Sequence, residues 1–154
     1  MNEMAVESIM TTHITTVDMD DPLKKIGDIF RQARFHHLLV LNDGKLIGII
    51  SDRDFLKEIS PYVGTLSETT RDRATLDKRA HQIMTRNPVV VSKETPLRTA
   101  AQILLERQIS CLPVIGPDKE ILGIITWKDL LRALMNSQPS SDPTLSAKPS
   151  YVDR

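Results

Sequence analysis

The segment 10–56 occurs a second time, in altered form, at 84–131. The two copies align with one extra residue near Glu120, and 14 of the 47 aligned positions are identical, whereas unrelated sequences of ordinary composition would share roughly three. This internal repeat predicts two equivalent halves, in which each site has a counterpart. A single copy of about 50 residues would bury too little surface to be stable, so we expect the two copies to share one core.

Charge and cysteine usage limit the functions open to the chain. It has 154 residues, and its 20 basic and 20 acidic side chains give a net charge of zero. A nucleic-acid-binding protein would carry a basic excess, so no nucleic-acid partner is predicted. The single cysteine, Cys111, excludes an internal disulfide and suits a reducing compartment. The chain start lacks the pattern of a secretory signal, and the apolar stretches are too short to cross a bilayer. These features predict a cytoplasmic protein without membrane contact.

Apolar periodicity and turn residues predict the same order of elements in both copies. Pro22 and Pro96 each open a helix, because proline lacks an N–H and its fixed φ suits the first helical turn. In the first copy we predict a helical turn at 6–10, a brief strand at 15–17, a helix from Pro22, hairpin strands at 38–41 and 46–50, and a helix at 52–59. In the second copy we predict a turn at 81–84, a brief strand at 89–91, a helix from Pro96, hairpin strands at 111–115 and 121–125, and a helix at 127–135.

Composition divides the chain into four parts. Residues 1–59 form the first repeat and residues 80–135 the second. Residues 60–79 are polar and charged and predict a linker, with a helix at its end as an open alternative. Residues 136–154 are rich in serine and proline and predict a flexible tail, because they cannot bury enough apolar surface to become ordered.

Both hairpins end in a similar signal, Gly-Ile-Ile-Ser-Asp-Arg-Asp at 48–54 and Gly-Ile-Ile-Thr-Trp-Lys-Asp at 123–129. A strand ends and a helix begins within each signal. The free amides and the dipole of a helix start favour an anion such as phosphate. The two signals therefore predict a pair of equivalent phosphate sites.

Three pairs of side chains in these signals match the parts of a sugar-linked phosphate. They are hydroxyls that donate to phosphate, cations that lie beside it, and carboxylates that accept from the two ribose hydroxyls. In that order the pairs are Ser51 and Thr126, Arg53 and Lys128, and Asp54 and Asp129. The alternative is a capping box, in which the hydroxyl and the carboxylate only satisfy backbone donors of the helix.

Two copies of this unit, each starting near Met-Thr and ending in Gly-Ile-Ile-Ser/Thr-x-x-Asp, resemble a tandem pair of CBS domains, often called a Bateman module. The resemblance covers residues 4–135. It implies an α/β (α+β) fold in which two pseudo-symmetric units, each β-α-β-β-α with a short leading helix, pack through their sheets. It also implies clefts that bind AMP, ADP, ATP or S-adenosylmethionine, a homodimer, and regulation of an effector protein rather than catalysis.

The histidines His36 and His37 lead into a strand of the first repeat. This stretch is similar to the histidine-led strands of the AMP-sensing γ subunits of AMP-activated kinase, and the resemblance implies that these histidines help to hold phosphate. Their counterparts are Ser110 and Cys111, so we expect the first cleft to be better equipped for an anion. The alternative is that one histidine is packed and the other solvated. A metal site with His13 is disfavoured, because adjacent strand residues point to opposite faces.

Two short segments stand where members of the family line the adenine, namely Thr12-His13-Ile14-Thr15 in the first repeat and Arg86-Asn87-Pro88-Val89 in the second. A base needs an apolar slot with a few polar edges. We expect this slot to be formed by Ile14, Leu38 and Ile50 in the first cleft, and by Val89, Leu112 and Ile125 in the second. The alternative is that these apolar residues belong to the core.

No catalytic set can be assembled from the sequence. Histidines and carboxylates are present, but no spacing joins them to a nucleophile or to each other as an acid and a base. The sequence therefore predicts a regulatory module that binds an adenine nucleotide, requires no cofactor and acts on an effector protein that it does not identify. The alternative function is a ligand-free dimerisation or scaffold module. Cys111 is expected to be a small core residue, and Trp127 to lie exposed beside the second signal.

Overall fold

The computed structural model describes residues 4–32 and 36–137. The first repeat contains a 3₁₀ turn (Val6–Ser8), β1 (Thr16–Asp18), α1 (Leu23–Gln32), β2 (His37–Asn42), β3 (Lys45–Ser51) and α2 (Asp52–Glu58). The linker contains α3 (Thr70–Ala74) and a 3₁₀ turn (Thr75–Asp77). The second repeat contains α4 (Ala80–Ile83), β4 (Thr85–Arg86), α5 (Leu97–Arg107), β5 (Cys111–Ile115), β6 (Ile121–Thr126) and α6 (Trp127–Ser137). The predicted α+β architecture of two pseudo-symmetric units is confirmed, and the tail beyond residue 137 lies outside the described residues.

The brief strand predicted at 89–91 is reduced to a single parallel bridge between Val91 and Val114. Val91 donates its N–H to Pro113 O and accepts from the Ile115 N–H, both at 3.0 Å. The next rung of a parallel ladder would need an N–H at position 113, and proline has none. Leu39 stands at the matching position in the first repeat, where β1 forms a regular three-residue pairing with β2.

Each repeat builds a sheet that is completed by the other repeat. The first sheet has the order β1-β2-β3-β4, in which β4 comes from the second copy and pairs antiparallel with β3 through Thr85 and Ile49. In the second sheet, β5 and β6 are flanked by the Val91 bridge and by an antiparallel bridge between Thr11 and Ile124. Thr11 and Thr85 are aligned positions, so the two halves exchange their leading segments symmetrically.

The exchange extends into the cores. Val6, from the start of the chain, is fully buried in the core of the second repeat. Ala80 and Met84, at the start of the second copy, are buried in the core of the first. The expectation of one shared core was therefore wrong, because the structure has two core clusters, each completed by the other half. Each half still depends on the other for stability.

Two glycines make this exchange possible. A Cβ placed on Gly48 in β3 would collide with the Met84 side chain, with Sδ as its nearest atom. A Cβ placed on Gly123 in β6 would lie 2.6 Å from Met10 Sδ and 3.0 Å from the Thr11 carbonyl oxygen. The glycine of each Gly-Ile-Ile signal thus leaves space for the leading segment of the other repeat.

Candidate functional site

The helices α2 and α6 begin with the same arrangement of hydroxyl and carboxylate. Ser51 Oγ accepts a hydrogen bond from the Asp54 N–H at 3.0 Å, and Asp54 Oδ2 accepts one from the Ser51 N–H at 3.1 Å. Thr126 Oγ1 accepts from the Asp129 N–H at 3.3 Å, and Asp129 Oδ2 accepts from the Thr126 N–H at 2.9 Å. The capping boxes of the alternative interpretation are therefore present at both junctions.

The two capping carboxylates differ in whether Oδ1, the oxygen that the cap does not use, has a partner. Asp129 is only 7% exposed, and its Oδ1 lies 3.5 Å from Arg132 Nη1. Asp54 is partly exposed and lines a cleft, and its Oδ1 has no hydrogen-bond partner within 4–32 and 36–137. Of the two junctions, the first can therefore offer a carboxylate oxygen to a ligand and still keep its cap.

Asp54 lies in a cleft of about 840 Å³ that both repeats line. From the first repeat come His37, Ile49, Ser51, Arg53 and Asp54. From the second come Thr85, Asn87, Pro88, Val89, Leu104, Leu105, Gln108, Ile109, Ser110, Cys111, Pro113 and Trp127. The structure thus brings the first junction together with the predicted base segment of the second repeat. The pairing is crossed because β4, which leads into Asn87, is hydrogen-bonded to β3 of the first repeat.

The strand residues that were predicted to form the apolar slot face the cores and not the cleft. Leu38, Ile50, Leu112 and Ile125 are fully buried in the two cores and do not line the cleft. Successive strand residues point to opposite faces, so the cleft is lined by the neighbours of these residues, Ile49 in β3 and Cys111 and Pro113 in β5. Both faces of these strands are apolar, and the sequence pattern therefore carried no signal that distinguishes them.

The remaining predicted base residues, His13 and Ile14, do not line this cleft. His13 is exposed and Ile14 partly buried. By symmetry they belong with the second junction, at Thr126 and Asp129. The counterparts of Gln108 and Ile109 in that arrangement are positions 34 and 35, which lie outside the described residues.

A second cavity, of about 530 Å³, adjoins the cleft and shares five lining residues with it. We call it the junction cavity, because its other lining residues include Thr126 and Lys128 from the second junction. Arg53 and Lys128, one from each repeat, have no ion-pair partner in the described part of the chain. The carboxylate of Asp52 is engaged by His36 Nδ1 at 3.0 Å, and this hydrogen bond lowers the pKa of Asp52. The cavity is therefore lined by two cations, Arg53 and Lys128, against one carboxylate, Asp52.

The two adjacent histidines have different environments. His36 is largely exposed and is bound to Asp52. His37 is partly buried, lines both the cleft and the junction cavity, and lies 2.9 Å from Ser110 Oγ through its Nε2. Burial lowers the pKa of His37, against the opposing effects of Asp52 and Asp54 and together with that of His36. His37 is therefore neutral near neutral pH. Within the described residues, no group of histidine, cysteine and carboxylate side chains could hold a metal ion.

Two wall residues have left-handed backbones. Asn87 has φ of 49° and Gln108 has φ of 54°, a conformation that is uncommon outside glycine. At Gln108 this conformation ends α5 and turns the chain into Ile109 and Ser110. Sequence reasoning missed Gln108 and Ile109, although the position just after a helix is where such turns occur.

Cys111 is a structural residue of the cleft wall. It is 5% exposed, and burial raises the pKa of its thiol to about 12. A thiol in this state is not a nucleophile at neutral pH. The structure therefore agrees with the interpretation of Cys111 as a packed residue.

A separate apolar groove of about 480 Å³ lies between α5 and α6. We call it the α5–α6 groove. It is lined by Met4, Leu97, Arg98, Ala101, Leu104, Leu105, Trp127, Leu130, Leu131, Ala133 and Leu134. Leu104, Leu105 and Trp127 line both this groove and the cleft. No helix among the described residues has the length and apolar character needed to span a bilayer.

Comparison with known proteins identifies relatives of the whole repeat pair. A family model described as CBS domain matches residues 6–61 and 80–136. The CBS domain-containing protein DDB_G0289609 of Dictyostelium discoideum is 30% identical over 135 residues, which are 86% of this chain and 92% of that protein. Protein MJ1225 of Methanocaldococcus jannaschii is 28% identical over 128 residues, and this chain spans only 46% of its length.

Solved structures share the fold of this chain. CBSX2 of Arabidopsis thaliana, in complex with AMP, superposes with a TM-score of 0.75 at 26% identity, over 88% of this chain and 99% of that one. The structure of MJ1225 superposes with a TM-score of 0.74 at 28% identity, over 86% of this chain and 48% of that one.

Proposed function

The chain belongs to the CBS-domain family, and from this premise we propose that it is a regulatory module that binds an adenine nucleotide in the cleft between its two repeats. The observation that carries the proposal is the position of Asp54. Its capping box leaves Oδ1 available. Asp54 lies in the same cleft as Arg53 and residues 87–89. The complex of CBSX2 with AMP supports a ligand of this class.

In the proposed complex each part of the nucleotide meets the chemistry that it requires. The ribose hydroxyls donate to Asp54 Oδ1. The base lies against Pro88, Val89 and Ile109, which give an apolar surface of the kind that small-molecule sites use. Backbone groups of Asn87, which has a left-handed conformation, supply polar contacts at the edge of the base. The volume of about 840 Å³ is within the range of small-ligand pockets, roughly 300–1,000 Å³.

The phosphate lies at the junction cavity. Arg53 can hold a phosphate through two parallel hydrogen bonds, and Lys128 adds a second positive charge. The N-terminal end of α6 adds a favourable dipole. These positive groups favour AMP, ADP or ATP over S-adenosylmethionine, whose sulfonium group would bring a further positive charge to the same place. The junction cavity has room for more than one phosphate group.

The readout of the ligand is proposed to be the pairing of two copies through their helix faces. The α5–α6 groove is apolar, and Leu131 on its surface is 50% exposed. The aligned residue of the first repeat, Leu56 in α2, is 64% exposed. Each chain therefore presents an exposed leucine at the same position of both closing helices, and a two-fold pairing would cover both leucines. The module itself is proposed not to be an enzyme, and its effector protein is one that recognises the paired state.

Calorimetric titration with AMP, ADP, ATP and S-adenosylmethionine tests the proposal. We expect a dissociation constant below about 1 mM for at least one of the three nucleotides and weaker binding of S-adenosylmethionine. The variant Asp54→Ala should lose affinity by about tenfold or more, because a charge-assisted hydrogen-bond acceptor is removed.

Asp72 provides the matched control. It forms the same capping box with Thr69 at the start of α3 but does not line the cleft. Asp72→Ala therefore removes a cap without touching the ligand site, and its affinity should stay within about twofold of the wild type. Equal losses in the two variants, or no binding of any nucleotide by the intact protein, would refute the proposed function.

The second candidate function is a ligand-free dimerisation or scaffold module, which the exposed apolar α5–α6 groove favours. Light scattering distinguishes the two candidates in the same experiment. A constant dimer that binds none of the four compounds would support the scaffold.

A further inference from the structure

We propose that Trp127 couples occupancy of the cleft to the α5–α6 groove, and thereby makes the pairing of two copies depend on the nucleotide. This inference rests on the proposed function, because it names the means by which the ligand site acts on the helix face. It assigns to Trp127 a role that neither cavity alone would suggest.

The cleft and the groove share part of one wall. Leu104, Leu105 and Trp127 line both, so at this place a single layer of side chains separates the ligand from the partner surface. Leu104 is 5% exposed and is held by close packing, which leaves a buried side chain little room to move. Trp127 is 48% exposed and Leu105 is 80% exposed. The part of the shared wall that can move therefore consists of these two side chains.

Of Leu105 and Trp127, only Trp127 also lines the junction cavity. Its backbone is fixed, because its N–H donates to Ser110 O at 3.3 Å, and Ser110 Oγ is in turn bonded to His37. Its indole makes no hydrogen bond to any of the described residues. A fixed backbone with a half-exposed ring allows the ring to change its position while the helix start stays in place.

Lys128 links the indole to the phosphate. Its Nζ lies 5.8 Å from the centroid of the Trp127 ring, which is within the range of a cation–π contact. Lys128 also lines the junction cavity, where the phosphate is proposed to lie. A charge-assisted bond to phosphate is stronger than an exposed cation–π contact, so the nucleotide draws the ammonium group away from the ring. The indole then repacks within the shared wall and changes the surface that a second copy must fit.

Tryptophan fluorescence gives a direct readout, because Trp127 is the only tryptophan in the sequence. Saturating ADP should shift the emission of the wild type, since the ring loses a cation and changes its exposure. Lys128→Gln removes the proposed link. At ADP concentrations that saturate the cleft of this variant, its emission should show no shift. A shift of equal size in Lys128→Gln would overturn the link through this side chain.

Sedimentation measures the consequence for pairing. In the wild type, saturating ADP should change the dissociation constant of the dimer by about fivefold or more, the usual lower range of coupling between sites. In Trp127→Ala, measured at ADP concentrations that saturate that variant, the change should fall below about twofold. Leu131→Ala is the control, because Leu131 lines the groove but not the cleft. It should weaken pairing by the same factor with and without ADP.

The outcomes separate the two proposals. If Trp127→Ala keeps the ADP dependence of pairing, or if the wild type binds ADP without any change in pairing, the coupling is overturned and the proposed nucleotide site stands. If calorimetry finds that AMP or ATP binds and ADP does not, the nucleotide that binds replaces ADP in both measurements, with the same expected results. If calorimetry finds no binding of AMP, ADP or ATP to the wild type, the proposed function fails, and the coupling fails with it.

Discussion

His37 Nε2 and Ser110 Oγ lie 2.9 Å apart and form a hydrogen bond that joins the two repeats. Both residues line the cleft and the junction cavity. If phosphate binds at the junction cavity as proposed, this partly buried histidine is placed to respond to it. The charged groups around it are Asp52, Asp54, Arg53 and Lys128, and the neighbouring imidazole is that of His36.

Nucleotide affinity is expected to increase as the pH falls. Burial lowers the pKa of His37 in the free protein, so the imidazole is neutral at neutral pH. A bound phosphate favours the imidazolium and raises this pKa, and binding therefore takes up a proton. Affinity should rise as the pH falls through the raised pKa of the complex and level off below the lowered pKa of the free protein. Between about pH 8 and about pH 6 we expect a gain of roughly threefold to tenfold by calorimetry.

His37→Gln should remove this pH dependence, because glutamine can still bond to Ser110 but does not titrate in this range. His13→Gln is the control, since His13 is exposed and does not line the cleft. An unchanged pH profile in His37→Gln would show that another group carries the linkage.

The two capping carboxylates are expected to have different roles. Asp129 is nearly buried and bonded through both oxygens. Asp129→Ala should lower the free energy of unfolding by about 2–3 kcal/mol, because it removes a cap and leaves buried donors unpaired. Asp54→Ala should lower it by about 1 kcal/mol, since its cap is partly exposed. Denaturant unfolding of the two variants measures the difference, and a larger loss in Asp54→Ala would contradict the assignment.

Alanine at either glycine of the Gly-Ile-Ile signals is expected to destabilise the protein. Gly48→Ala places a Cβ against the buried Met84 side chain. Overpacking of this kind costs about 1–3 kcal/mol in the free energy of unfolding. Gly123→Ala should cost more, because its Cβ also meets the Thr11 carbonyl oxygen at 3.0 Å, and backbone cannot move aside as a side chain can.

A second substitution tests the cause. Adding Met84→Ala to Gly48→Ala should give a smaller loss than the sum of the two single losses, since the clash disappears. Adding Met84→Ala to Gly123→Ala should give an additive loss, because Met84 does not contact Gly123. Additivity in both pairs would argue against the exchanged packing of the leading segments.

The thiol of Cys111 is expected to react very slowly in the folded protein. Burial raises its pKa from 9.0 to about 12, which lowers the thiolate fraction at neutral pH about a thousandfold. Disulfide-exchange reagents followed by absorbance should therefore modify the native protein at least about a thousandfold more slowly than the protein in denaturant. A rate within tenfold of the denatured protein would contradict the buried position of Cys111.

Local chemistry in the sequence was sufficient to predict most of the elements and the two junctions, whereas the strand predicted at 89–91 is reduced to one bridge and β4 was not predicted. Proline before α1 and α5, the Asp43-Gly44 turn and the capping pattern Ser51-x-x-Asp54 each act through residues that are near in sequence. Such short-range effects give the same local structure wherever the segment lies in the fold. The repeat itself predicted that such features would occur twice, and the structure has the opening proline, the hairpin and the capping box in both repeats.

Tertiary structure alone decided how the two copies combine. The sequence predicted that Leu38 and Leu112 would face the ligand, but both faces of these strands are apolar, and a pattern that is apolar throughout does not distinguish the core side from the cleft side. The sequence also did not show which segment lies beside the Asp54 junction. Whether Asn87 or His13 joins it depends on β4 crossing to β3, a contact between residues far apart in the chain. Long-range contacts, among them the packing of Met84 against Gly48 and of Met10 against Gly123, select that crossed arrangement, because such contacts are decided by fit and not by local propensity.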